Sequence, residues 1–221
     1  MRTTALIYSL TWMILFQLMG DQTLIGQSTW DWRDPNDLGI VDFGDNKVLG
    51  YNLLGLGAIM IFDKKAQKDS TRISQISVGW YQEYKREPIS QLWIGEYRLG
   101  KYLRPYISWG GGIRSYGIVG EGVKTLGFGG YLWFTWHIIR GRRWTLSYDN
   151  GVGPNYFFRA FPDGGTRFNF TTQYGIVVGH NIGHHRLTLH FTNIHISNAG
   201  ILGPNRNPAL DAYGIKIGWS F

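Results

Sequence analysis

The sequence predicts an all-β fold, an eight-stranded antiparallel transmembrane β-barrel of the outer-membrane type. Three observations carry this. Strand-length segments alternate strictly, with one apolar face and one small or polar face. The 221 residues include 31 Gly, 16% aromatics and no Cys, a composition that suits the tight interior and interfacial girdles of a small barrel. The connections between segments differ in length, as expected of short turns on one membrane side and longer loops on the other.

Taken in chain order, residues 1–28 read as a signal peptide, with Arg2 as the positive region and 5–19 as the apolar stretch. Gly20, Gly26 or Ser28 can end its cleavage site; none forms the usual Ala-x-Ala. Residues 29–71 form a lead-in. Its first part, with Asp31, Asp34, Pro35 and Asn36, is polar and irregular. Its later part, 47–62, spaces Leu49, Leu53, Leu56 and Met60 as on a helix, and also reads as an extra strand.

The barrel follows over 72–221. Strands are expected near 72–84, 89–98, 102–115, 124–138, 142–151, 166–180, 185–197 and 209–221. The second alternates poorly. The sixth is clear: Phe168, Phe170, Thr172, Tyr174, Ile176 and Val178 oppose Arg167, Asn169, Thr171, Gln173 and Gly175. The connections 99–101, 139–141 and 181–184 are short, and 116–123, 152–165 and 198–208 are longer. In a membrane barrel the longer set lies outside, and the last strand runs inward to Phe221.

The net charge of +7 points to an anionic partner. Lys and Arg form no run, and no basic helix or aromatic RNA-binding motif is present, so nucleic acid is not expected and an anionic lipid surface fits better. The absence of Cys excludes disulfides and thiolate metal sites. His180, His184 and His185 gather at one short turn, where solvated turn histidines are the simpler reading and no metal is expected. Gly110, Gly111 and Gly112 lack the following Lys and helix of a phosphate loop. His137 and His190 are expected in the lumen, hydrogen-bonded.

The chemistry concentrates in the last hairpin, 185–221. His195 and Ser197 are two apart, hence on one face of the strand, together with Leu187, Leu189 and Phe191. That is the apolar face, which a membrane barrel turns toward lipid. A serine hydroxyl becomes a nucleophile when a base takes its proton, and a third group orients the base. His195 is the candidate base and Ser197 the candidate nucleophile. A hairpin centred near residue 203 sets His195 opposite Asp211, on the same face. Asn198 and the backbone N–H groups of Ala199 and Gly200 are the nearest oxyanion donors; Asn198 can serve only where the chain already bends away from the strand. Should Asp211 not be the acid, Glu121, Asp149 and Asp163 remain near that end, and Asp149 faces the lumen. Arg159, Arg167 and Arg206 lie in or near the outer loops, where Arg meets lipid phosphate; ordinary loop charge is the alternative.

The run His-Ile-Ser-Asn-Ala-Gly from His195, then Pro204-Asn205 and 207–221, resembles the lipid A 3-O-deacylase family of Gram-negative outer membranes. The segments beginning at Arg104 and Arg167 are similar to it less specifically, and the resemblance covers roughly 100–221. It implies an eight-stranded barrel with an outward-facing His and Ser, which removes the ester-linked acyl chain at the 3-position of lipid A without a cofactor. It assigns the base to His195, the nucleophile to Ser197 and the oxyanion Asn to Asn198. The family's acid is a Glu closer to the serine; that spacing reaches Ala209 here, and Asp211 lies two residues on.

Three function classes follow: an outer-membrane esterase acting on lipid A of lipopolysaccharide, a non-enzymatic barrel of the envelope, and an acyltransferase using the same nucleophile. Polar groups facing hydrocarbon are costly without a use, which favours the enzymes. A homodimer is compatible with the sequence.

Overall fold

The computed structural model describes residues 71–85, 89–120, 124–162, 164–198 and 209–221. The signal-peptide and lead-in readings, including the segment 47–62, fall outside these residues, as do Glu121, Asp163, Gly200 and Arg206.

Eight strands follow in order: β1 (Arg72–Glu83), β2 (Gln91–Arg104), β3 (Ile107–Val119), β4 (Lys124–Arg140), β5 (Trp144–Phe161), β6 (Thr166–Ile182), β7 (His185–Ser197) and β8 (Leu210–Ser220). Each pairs antiparallel with its neighbours, and β1 pairs with β8, so the sheet closes into a barrel without an edge. The expected fold class holds.

Alternation decides which side chains face out. Ile76 and Val78 on β1, Leu126, Phe128 and Leu132 on β4, Leu187, Leu189 and Phe191 on β7, and Ile215, Ile217 and Trp219 on β8 are all exposed. An apolar band of this extent would be a liability in water and is what a bilayer solvates.

The lumen is filled in layers. Toward the β7–β8 connection lies an apolar cluster including Tyr81, Leu92, Ile94, Ile118, Phe157, Ile194, Ile196 and Leu210. Alternation predicted a small or polar inner face on β7 and β8; near this connection the inner face is apolar instead. Below it the inner face is ionic. Arg114 donates from Nε to Glu96 at 2.9 Å, and the buried Lys216 ammonium donates to the same carboxylate at 2.9 Å. Arg98 binds both oxygens of Asp149 at 3.1 Å each. His190 donates to or accepts from Thr188 at 3.0 Å, and His137 sits between Ser108 and Ser147, so both histidines are hydrogen-bonded in the interior.

Several strand ends differ from expectation, those of β2, β3 and β5 most. β5 continues through Gly151, Gly153 and Pro154 to Phe161, where turn chemistry suggested a long loop; Pro154 stays in register opposite Phe170. β2 continues past Gly100 to Arg104. This glycine is not a turn residue: a Cβ there would lie 2.2 Å from the Trp109 carbonyl oxygen and 2.3 Å from the Trp133 ring. It exists to admit the indole. The β2–β3 connection is 105–106, not 99–101, and 102–104, expected to open the third strand, belong to β2; the β2–β3, β4–β5 and β6–β7 connections are all short and lie at the end opposite His195.

Candidate active site

β7 and β8 bring the predicted residues to one outward patch. The register pairs His195 with Asp211, as a hairpin centred near residue 203 requires. Their side chains meet: His195 Nδ1 lies 2.8 Å from Asp211 Oδ1. A carboxylate only accepts, so this contact makes Nδ1 the protonated nitrogen and leaves Nε2 with a lone pair. Ser197 lies one pleat further along the same face and is buried. Among the described residues no hydrogen bond joins Nε2 to the Ser197 hydroxyl. Contacts of this kind commonly tighten only in the Michaelis complex.

The backing of the patch is rigid. Ile194 and Ile196, which flank His195, point inward into the apolar cluster. Groups carried on a strand whose other face is packed hold their geometry better than groups on a loop. The patch lies at the upper margin of the apolar band. Along β7 the outward residues change from Leu187, Leu189 and Phe191 to Asn193, His195 and Ser197; along β8 they change from Trp219, Ile217 and Ile215 through Tyr213 to Asp211.

Other predicted residues are distributed as follows. β7 ends at Ser197, so Asn198 is off the strand, and it is buried. Asp149 is in the lumen with Arg98 and Thr135 and cannot serve His195. Arg159 is on β5, with β6 between it and β7, and lines a groove with Trp93, Val119, Lys124, Leu126 and Phe158. The structure does not bring it to His195. The turn histidines make ring contacts: His180 lies 4.4 Å from Trp144 and His185 lies 5.2 Å from Trp219, centroid to centroid. Among the described residues no group of three or more His, Asp or Glu is arranged to hold a metal.

Two neighbours were not anticipated. Lys85 Nζ lies 3.0 Å from Asp211 Oδ2. Thr172 stands opposite His195 on β6, buried, with a hydroxyl that has no hydrogen-bond partner among the described residues. Lys85 is far from Asp211 in sequence, and only closure of β1 on β8 joins them. Thr172 belonged to a face already read correctly; its pairing with His195 required the β6–β7 register.

The profile of the lipid A 3-O-deacylase family (PagL) matches residues 74–220. Among solved structures, the barrel is similar to Neisserial surface protein A (NspA), with a TM-score of 0.51 at 8% identity over 70% of this chain and 98% of that one. It is also similar to the outer membrane enzyme PagL, at 0.49 and 16% identity over 66% of this chain and 97% of that one. The N-terminal β-barrel domain of Pseudomonas aeruginosa OprF aligns at 0.44 and 11% identity over 70% and 100% of the two chains. At these identities the likeness to the solved structures is one of fold. Among curated proteins none matches the chain.

Proposed function

The chain belongs to the lipid A 3-O-deacylase (PagL) family, and on that premise we propose that it is an outer-membrane serine esterase. It removes the 3-O-linked acyl chain of lipid A with a lipid-facing Ser197–His195–Asp211 site. The observation that carries this is the cross-strand contact of His195 Nδ1 with Asp211 at 2.8 Å, with Ser197 two residues along on the same outward face.

The steps follow from the tautomer that this contact sets. His195 Nε2 accepts the Ser197 proton while Ser197 Oγ bonds to the ester carbonyl carbon. The carbonyl oxygen becomes an oxyanion, for which the Asn198 side chain and the Gly200 backbone N–H are the proposed donors. The carbonyl re-forms, the bond between the acyl carbon and the 3-oxygen breaks, and Nε2 gives the proton to that departing oxygen, which stays on the sugar. Water, deprotonated by Nε2, then attacks the acyl carbon; the bond from that carbon to Ser197 Oγ breaks, Nε2 returns the proton to Oγ, and the fatty acid leaves. Asp211 keeps Nδ1–H in place and balances the imidazolium charge in both halves. Arg159 and Arg206 are proposed to meet lipid phosphates, Arg159 from β5 at the flank of the bound lipid. No cofactor enters any step. In this reading the barrel sits in a Gram-negative outer membrane with its short connections toward the periplasm, so the site opens to the lipopolysaccharide leaflet.

The test is mass spectrometry of lipid A from cells lacking the protein, carrying it, or carrying Ser197→Ala. Loss of one hydroxyacyl mass only with the wild-type chain is the expected result. Gain of an acyl mass points to a transferase, and an unchanged spectrum points to a structural barrel; either overturns the proposal.

A further inference from the structure

We propose that Lys85 is a positioning residue of this site, which holds the Asp211 carboxylate in the rotamer that orients His195. The inference rests on the Ser197–His195–Asp211 reading above and extends it to the β1–β2 connection.

Among the described residues the Asp211 carboxylate has two partners, one for each oxygen. Oδ1 accepts from His195 Nδ1 at 2.8 Å, and Oδ2 accepts from Lys85 Nζ at 3.0 Å. Rotation about the Cβ–Cγ bond breaks both contacts together. With His195 as its sole partner, the carboxylate would be free to present either oxygen or to turn toward water at the rim.

Lys85 is itself held. The base of the β1–β2 connection is closed by Glu83 N–H donating to the Ser90 carbonyl at 2.9 Å and Ser90 N–H donating to Glu83 Oε2 at 3.2 Å. The next residue, Tyr84, lies across β8: its N–H donates to the Asp211 carbonyl at 3.2 Å, and its ring lies 5.5 Å from that of Tyr213. Asn193 Nδ2 donates to the Tyr84 hydroxyl at 3.3 Å. The backbone thus delivers the lysine to Asp211, so that forming the ion pair orders the side chain but not the segment that carries it.

Two effects of the ammonium oppose each other. It fixes the acid, and its charge disfavours a cationic imidazole beyond the carboxylate. The Lys85 side chain is 33% exposed, so the second effect is screened by water and headgroup counterions. Fixing the acid is local and is not screened in that way, so the net effect is favourable. The same exposure makes the ion pair a small contributor to stability.

The experiment uses the full-length protein, purified in detergent, with release of fatty acid from lipid A as the readout. Lys85→Met is expected to lower kcat about five- to tenfold with KM within about twofold, the scale of a charge-assisted contact at a partly wet site. Lys85→Arg, which keeps charge and donors, is expected to restore most of the rate. In an Asp211→Ala background, Lys85→Met is expected to change nothing further, because its effect passes through Asp211. Unfolding midpoints of Lys85→Met and wild type should coincide. A faster Lys85→Met enzyme would identify an electrostatic brake. A loss confined to KM, or one that persists without Asp211, would identify a substrate contact. Either result overturns the proposal. Failure of the underlying mechanism is separately visible, as a Ser197→Ala protein that retains wild-type turnover.

Discussion

Replacing Asp211 with Asn tests the site more sharply than removing its side chain, because the shape survives and only the hydrogen-bond polarity changes. Asp211 faces a donor on each oxygen, His195 Nδ1–H and Lys85 Nζ. An amide offers one acceptor and one NH2, so it can satisfy only one of them as before. An ammonium has no acceptor, whereas an imidazole nitrogen can give up its proton and accept. The amide therefore turns its oxygen to Lys85 and its NH2 to Nδ1. The imidazole must then carry its proton on Nε2, where Ser197 needs a base. Serine hydrolases forced into that tautomer lose about ten-thousandfold in kcat, which is ~5.4 kcal/mol at about 1.36 kcal/mol per tenfold. Asp211→Asn is expected to fall by that order, with KM little changed. Adding Lys85→Met should then recover part of the loss, since the amide becomes free to turn its oxygen to Nδ1. The same Lys85 change thus harms the wild type and helps the Asn variant. The assay is fatty-acid release under single-turnover conditions, with imidazole nitrogen NMR to read the tautomer. An Asp211→Asn enzyme within tenfold of wild type, or one that Lys85→Met slows further, would refute the reasoning.

Three other outcomes are expected. Lys216→Met should destabilise the barrel by about 3 kcal/mol in urea unfolding from lipid vesicles, because it leaves Glu96 buried with Arg114 as its remaining ion pair; adding Glu96→Gln should return part of that. Gly214→Ala should prevent closure of β1 on β8, since its Cβ would lie 2.1 Å from the Trp80 carbonyl oxygen, whereas Gly117→Ala, with no heavy atom nearer than 3.8 Å, should fold; heat-modifiable gel migration separates the two. Arg159→Ala should raise KM for lipid A about two- to fivefold and leave kcat unchanged, as befits a rim cation set apart from β7; a fall in kcat of tenfold or more would give Arg159 a role at the ester.

Much of this was legible in the chain because a strand's period of two is a local signal. The outward faces of β6, β7 and β8 follow from alternation alone, and so does the pairing of His195 with Asp211 once the hairpin centre is chosen. What escaped was set by neighbours distant in sequence. Gly100 and the Gly151–Pro154 stretch carry turn chemistry, yet both lie within strands, since the ladders with β3 and β6 outweigh local propensity. The apolar inner face at Ile194 and Ile196 was hidden because those positions carry no polar residue to mark them as inward. Lys85 carries no local signal in the sequence, because its contact with Asp211 exists only through the closure of β1 on β8.

The apolar cluster at the end of the lumen decides where the products of such an enzyme can go. Behind Ile194 and Ile196 lie the rings of Tyr81 and Phe157, and then the ion pairs of Glu96, Arg114 and Lys216. Among the described residues those layers fill the lumen, and an acid released at the proposed Ser197 site would find no exit through it. Under the proposed reaction the fatty acid and the shortened lipid would both leave sideways, in the leaflet that supplied the substrate. Turnover is then a two-dimensional problem: products accumulate in the film that bathes the site, and the composition of the leaflet around each barrel becomes part of its rate law.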